Sequence, residues 1–308
     1  MNIAVIDLGT NTFNLLIAEI FPDGKFKIIY SNKLSVRLGK EGIGKNHLHP
    51  EAIDRGLKAL SEYKNIINQH QINDIHAIAT SAIREAVNGT DFIEKARELG
   101  FTVSVVSGEK EAELIYKGVQ MALHIGEKPT LIMDIGGGST EFIIADSKKI
   151  YWKKSFLLGV TRLLDKFKPS DPITRSEIHQ LYGYLKEQLR PLKEAYKQFP
   201  FIELIGSSGS FDSFADIIEH RHEVQPPIRK KTEYEFNFEQ VDVLFDELIR
   251  STKEQRLNVK GLIKMRVDMI VMAVLLTKFI LDEYEISKMR LSTYALKEGV
   301  LSQFINKK

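Results

Sequence analysis

The chain repeats itself. Asp7-Leu8-Gly9-Thr10-Asn11-Thr12 runs into Phe13-Asn14-Leu15-Leu16-Ile17-Ala18, and 127 positions later Asp134-Ile135-Gly136-Gly137-Gly138-Ser139 runs into Thr140-Glu141-Phe142-Ile143-Ile144-Ala145. Each copy follows a short apolar run, Ile3 to Ile6 or Leu131 to Met133, and leads to a turn, Pro22-Asp23-Gly24 or Asp146-Ser147-Lys148. A further β-prone stretch follows each turn, Phe26 to Tyr30 and Ile150 to Phe156. This is strand, glycine turn, strand, turn, strand. The same offset aligns Ile75–Ser81 with Ile202–Ser208, each after a stretch of helical spacing, about 50–69 and 175–198. One small-residue match around Asp-x-Gly is common; a second in the same register points to duplication of a β-β-β-α-β-α plan.

The expected architecture is therefore α/β, with two domains at 1–123 and 124–308. Beyond the repeat, apolar spacing predicts helices at Phe238–Ser251 and Leu262–Leu281, then a strand or loop at Lys288–Leu291. A closing helix is expected at Tyr294–Ile305, with 294–305 packing back on the first domain. Glu223–Glu235, with Pro226-Pro227, reads as an exposed loop.

Composition narrows the function classes. A length of 308 residues suits two ordinary domains. Cysteine is absent, which excludes disulfides, thiolate metal sites and thiol nucleophiles and fits a reducing compartment. No signal peptide is read at the N-terminus. Met269–Leu281 is too short for a bilayer span and reads as a buried helix. A net charge of +2 implies no general polyanion surface. The expected setting is cytoplasmic, without membrane or DNA partners.

A glycine turn between strands lets backbone N–H groups approach an anion with no Cβ in the way. Two such turns suggest a clamp for successive phosphates, built from Gly9, Thr10 and Asn11 and from Gly136, Gly137, Gly138 and Ser139. Asp7 and Asp134 open the turns, where a carboxylate can hold Mg²⁺ directly or through water. A tight hairpin with a capping Asp is the alternative for either turn alone. Other motifs fail. There is no Gly-x-x-x-x-Gly-Lys-Ser/Thr, and Gly136-Gly137-Gly138 leads into a strand rather than the helix of a dinucleotide fold. Gly206-Ser207-Ser208-Gly209-Ser210 resembles a nucleophile elbow but ends in Ser where Gly is needed.

Asp7–Thr12, Thr80–Asn88, Ser107–Ala112 and Asp134–Glu141 together resemble the exopolyphosphatase/guanosine pentaphosphate phosphohydrolase (Ppx/GppA) family of the actin-like superfamily. Gly206–Gly209 and Ser292–Gly299 agree more weakly, and the resemblance spans essentially the whole chain. It implies two actin-like, ribonuclease H-like domains with an interdomain cleft. It also implies metal-dependent release of terminal phosphate from polyphosphate or guanosine pentaphosphate, with Mg²⁺ or another divalent cation. By position, Glu111 matches the general base, Asp134 and Glu141 the metal-associated carboxylates, and Arg84 an arginine lying towards the cleft. Asn11, Gly137, Gly138 and Ser139 match phosphate-binding loops. The family often has Arg two residues after the base; this chain has Glu113. Homodimers occur in the family, and longer relatives carry extra C-terminal helical domains, which directs attention to short polymers or nucleotides.

The residues alone leave alternatives open. Glu111 could merely favour a positive helix N-terminus, Arg84 could pair Glu85 or Asp91 at the surface, and Glu141 could be an exposed strand residue. His220-Arg221-His222 lacks a third metal ligand and reads as solvated loop. Lys148-Lys149, Lys153-Lys154 and Arg229-Lys230-Lys231 read as surface charge, and Met265, Met269 and Met272 as core. Other function classes consistent with the chain are a nucleotide-binding actin-like module, with Gly206–Gly209 as remnant of an adenosine pocket, and a non-catalytic relative.

Overall fold

A computed structural model describes residues 1–223 and 230–305. The chain divides into two compact units, Met1–Met121 joined by the stretch from Leu296 onward, and Ala122–Ala295. The first unit holds strands β1 (Asn2–Leu8), β2 (Thr12–Ile20), β3 (Phe26–Ser35), β4 (Asp74–Ala79) and β5 (Val103–Val105), in spatial order β3-β2-β1-β4-β5. The hairpin strands pair antiparallel, whereas β4 and β5 extend the sheet in parallel. Its helices are α1 (Pro50–Gln69), α2 (Ser81–Glu85), α3 (Gly89–Glu98) and α4 (Gly108–Ala122). Pro50 sits at the start of α1, where a missing N–H is harmless, and Ile53, Leu60, Tyr63 and Ile67 give the helix one buried stripe. The Tyr63 hydroxyl donates to the Phe13 carbonyl at 2.7 Å, so this buried phenol is satisfied. A Cβ on Gly56 would come within 2.7 Å of Phe92, so that glycine lets the aromatic pair Phe13–Phe92 close under α1.

The second unit repeats this plan. Strands β6 (Thr130–Ile135), β7 (Thr140–Ala145), β8 (Ile150–Phe156), β9 (Glu203–Ser207), β10 (Glu233–Glu235) and β11 (Lys288–Ser292) lie in the order β10-β11-β9-β6-β7-β8. Read from β8, this is the first sheet again with β10 added at the edge. Even the irregularity repeats: β3 carries an extra residue, Ile29, opposite Ile17 and Ala18, and β8 carries Tyr151 opposite Ile144 and Ala145. The parallel pairing, however, slips. Asp7 lies beside Ile78, but Asp134 lies beside Ser207, two residues beyond the position the offset assigns. A two-residue slip leaves every side chain on its original face, so the alternation of the sequence is blind to it.

The helices of this unit are α5 (Val160–Phe167), α6 (Arg175–Gln188), α7 (Arg190–Gln198), α8 (Ser208–His222), α9 (Phe238–Arg250), α10 (Lys253–Leu257) and α11 (Ile270–Glu283). The side chains of α11 from Ile270 to Thr277 and from Phe279 to Leu281 are buried, as expected of a helix that is apolar on most of its faces inside a domain. No helix among the described residues is long and apolar enough to cross a membrane. The final helix, α12 (Leu296–Ile305), packs on β1 and β2 of the first unit.

Three expectations need correction. The helix anticipated from Leu262 begins only at Ile270; Lys264–Arg266 form a 3-10 turn after Gly261, whose φ is +87°. The cause is hydrogen bonding to residues distant in sequence: the Val267 carbonyl accepts Arg256 Nε at 3.0 Å, and Arg266 turns to donate to Ser213 Oγ at 2.7 Å. The loop anticipated at 223–235 ends in β10, because Glu233–Glu235 pair with the edge of β11; residues 224–229, with Pro226-Pro227 and Arg229, lie outside the described residues. His220–His222 are not loop but the last turn of α8, where His220 Nδ1 lies 2.7 Å from the Asp216 carbonyl oxygen.

Candidate active site

In the first unit β1 delivers Asp7 to the mouth of the turn, and Asn14 Nδ2 donates to its Oδ2 at 2.8 Å. The turn closes through Gly9 N to the Thr12 carbonyl at 3.1 Å. A Cβ on Gly9 would come within 2.9 Å of that same carbonyl, which explains the glycine. The Thr10 carbonyl accepts from Gly39 N, and the Asn11 carbonyl from Val36 and Arg37 N. Arg55 holds that following segment in turn, donating to the Val36 and Arg37 carbonyls.

The second unit builds its turn by the same rule. Gly136 N donates to the Ser139 carbonyl at 3.0 Å, with the carbonyl again 2.9 Å from where a Gly136 Cβ would stand. The carbonyls of Gly136 and Gly137 accept from Val160 and Thr161 N at the start of α5, and Arg162 Nε donates to the Gly138 carbonyl at 3.1 Å. Gly159 is needed for this approach, since a Cβ there would strike the Gly137 and Gly138 backbone. In both units, then, carbonyl oxygens of the turn are drawn off by a following segment. What such a turn offers an anion is its amide side. Ser139 is buried at the base of this turn, before β7.

Two of the residues singled out touch each other. Arg84, on α2, donates through Nη1 to Glu111 Oε2 at 2.8 Å; Glu111 lies in the first turn of α4. Arg84 also donates to the Val106 carbonyl at 3.1 Å and to Glu85 Oε1 at 2.8 Å. Both members of the pair are largely buried, their side chains 15% and 9% exposed. Glu111 is thus neither a simple helix-end charge nor a surface residue: it is oriented by a guanidinium that is itself held by Glu85 and the Val106 carbonyl. Glu113 pairs with Lys110 at 3.2 Å near the surface.

Asp134 and Glu141 are direct register partners on β6 and β7. Side chains so placed share a sheet face about 5 Å apart. Both are buried, so Glu141 is not the exposed strand residue that the alternative required. Asp134 Oδ2 accepts two hydroxyls, Ser207 Oγ at 2.8 Å and Ser208 Oγ at 2.6 Å, while Glu141 Oε1 accepts Ser155 Oγ at 2.6 Å. Among the described residues no group of three His, Asp or Glu side chains forms a metal cage. The donor set nonetheless fits Mg²⁺, which characteristically takes one or two carboxylates and fills its remaining positions with water and phosphate oxygens. Asp134 and Glu141 would hold it. Asp7, in the other unit, is the third carboxylate assigned to a cation, and it is engaged by Asn14.

Sequence reasoning missed the serines. Ser207 ends β9, the strand next to β6, and Ser208 opens α8 directly after it, so a predicted strand order brings both to Asp134; the motif read as an elbow or a nucleoside pocket carries no such signal.

Comparison with known proteins gives the family. The model of the Ppx/GppA phosphatase family matches residues 16–308. A Haemophilus influenzae protein named as a candidate exopolyphosphatase is 28% identical over 302 residues, covering 97% of this chain and 90% of that protein. The crystal structure of an exopolyphosphatase from Cytophaga hutchinsonii superposes with a TM-score of 0.97 at 38% identity, covering 99% of this chain and 98% of the other. A Ppx/GppA family member from Aquifex aeolicus superposes with a TM-score of 0.81 at 27% identity, over 100% and 98% of the two chains. With the duplicated actin-like fold, these likenesses establish that the chain belongs to the Ppx/GppA phosphatase family and is a phosphoanhydride hydrolase.

Proposed function

We propose that the protein is an exopolyphosphatase, releasing orthophosphate from the end of inorganic polyphosphate with Mg²⁺. The observation that carries this reading is the pair of glycine turns whose carbonyls are bound away, one around Gly9 and one around Gly137. Amides left free in that way suit the oxygens of a phosphate group. Asn11, Thr10 and Ser139 belong to the same turns and are assigned to phosphate binding with Gly9, Gly136, Gly137 and Gly138.

Glu111 is assigned as the base. Water attacks the terminal phosphorus, its proton passes to the Glu111 carboxylate, the bridging P–O bond breaks, and the shortened polymer leaves with the bond pair. Phosphoryl transfer asks mostly for positioning and charge stabilisation. Arg84 supplies the positioning by gripping Glu111 Oε2. A bound Mg²⁺ supplies neutralisation of phosphoryl and leaving-group charge. Asp134 and Glu141 would serve to hold it.

The test is phosphate release with Mg²⁺ from short polyphosphate, long polyphosphate and guanosine pentaphosphate in parallel, with and without a chelator. Chelator-sensitive release from polyphosphate is expected. Release from the pentaphosphate alone would replace polyphosphate by the nucleotide as substrate. Tight ATP binding with no release from any of the three would overturn the hydrolytic reading.

A further inference from the structure

We infer that Ser207, Ser208 and Ser155 are positioning residues that pre-set the Asp134–Glu141 carboxylate pair for a divalent cation. The inference rests on the cation role assigned to that pair. Two carboxylates side by side on one sheet face repel each other, and each has free torsions about its terminal bonds. Left alone they would rotate apart and have to be reordered when a cation binds. Here each is pinned by hydroxyls, two on Asp134 and one on Glu141, at 2.6–2.8 Å.

The backbone supports the same reading. Ser208 has φ of +68°, a left-handed conformation that residues with a Cβ adopt at a cost. It stands at the first position of α8 directly after the buried Ser207, where a glycine would accept the conformation without strain. Glycine, however, would bring no hydroxyl to Asp134. Ser155 enters from a different strand, β8, as the register partner of Glu141. The three hydroxyls therefore come from the two strands that flank the β6–β7 hairpin, β9 with its following helix on one side and β8 on the other. Groups that orient the ligands of a metal usually matter to affinity by about 10–100-fold.

The test is Mn²⁺ binding to the substrate-free protein, followed by electron paramagnetic resonance, with a melting curve for each variant. Asp134→Ala serves as reference. Ser207→Ala, Ser208→Ala and Ser155→Ala are each expected to weaken Mn²⁺ binding by about tenfold or more. Ser208→Gly keeps the left-handed backbone and removes only the hydroxyl, so it should weaken binding like Ser208→Ala even if its melting temperature rises. Ser207→Thr, which keeps a hydroxyl, should restore most of the affinity. If Asp134→Ala weakens Mn²⁺ binding while Ser208→Gly and Ser155→Ala leave it unchanged, the positioning role is wrong and the cation role survives. If Asp134→Ala leaves binding unchanged, the cation assignment itself falls, and the inference with it.

Discussion

Glu111→Gln separates chemistry from folding, because the structure assigns the two very different sizes. Glutamine still offers an oxygen to Arg84 Nη1, so the 2.8 Å hydrogen bond can be kept and the guanidinium retains its Val106 and Glu85 partners. The loss is the charge on one acceptor. Hydrogen bonds to charged groups contribute about 1.5–3 kcal/mol and neutral ones about 0.5–1.5, so the variant should lose about 1 kcal/mol. That is a fall of a few degrees in melting temperature. Loss of a positioned base is worth about 10²–10⁴ in rate, and each tenfold is about 1.4 kcal/mol of barrier. The activity loss should therefore exceed the stability loss about threefold or more in energy. Arg84→Met is the companion, breaking the pair from the other side. It leaves a buried carboxylate with one partner fewer, at about 3 kcal/mol, the low end for a buried pair because both side chains retain some solvent. The assay is the initial rate of phosphate release from short polyphosphate beside thermal melts of both variants. Near-normal release by Glu111→Gln would refute the argument, as would a lower melting temperature for Glu111→Gln than for Arg84→Met.

Gly159→Ala should cost about 1–3 kcal/mol by overpacking and displace the Gly137–Gly138 turn, read as a lower melting temperature with weakened phosphate inhibition of turnover. Asp171→Asn should cost about 2 kcal/mol in urea unfolding, because the buried Arg256 loses its ionised partner at 2.7 Å; the half-exposed aspartate keeps the figure below that of a fully buried pair. The Ser170 hydroxyl, then the Thr174 and Ser170 amides and the Thr174 hydroxyl, hold the Glu177 carboxyl down at about 2. Its folded pKa lies below the unfolded one, so its contribution is complete above the ordinary carboxylate range and is lost as pH falls towards about 2. A carboxyl NMR titration should place its midpoint there, and Glu177→Gln should flatten the acid limb of the stability profile.

Much of the fold was legible because the hairpins obey strictly local rules. Gly9 and Gly136 each sit under a carbonyl three residues on, and that requirement is written into both copies at the same spacing. The Ile29 and Tyr151 bulges follow without being visible, since a bulge alters pairing rather than composition. The slip between β4 and β9 was illegible for a different reason: a shift by two conserves the alternation of faces. The Leu262 helix failed because apolar spacing carries no record of a carbonyl taken by a distant arginine, here Val267 by Arg256. In the candidate site, residue identities were readable from the motifs, but contacts were not. Arg84 and Glu111 stand 27 residues apart on two short-range elements, and only the parallel β4–β5 packing brings α2 to the start of α4.

The first unit is assembled from two separate stretches of the chain, with everything from Ala122 to Ala295 inserted between them. During synthesis β1 and β2 are made before the second unit, and the helix that covers them is made after it. A ribosome-bound intermediate must therefore keep an apolar sheet face waiting while the whole second unit is produced, which makes that interval the time of greatest exposure to chaperones and to self-association. Cutting the polypeptide after Met121 would not liberate a finished module; supplying residues 296–305 on a separate peptide, or splicing them ahead of Met1, is the way to obtain one.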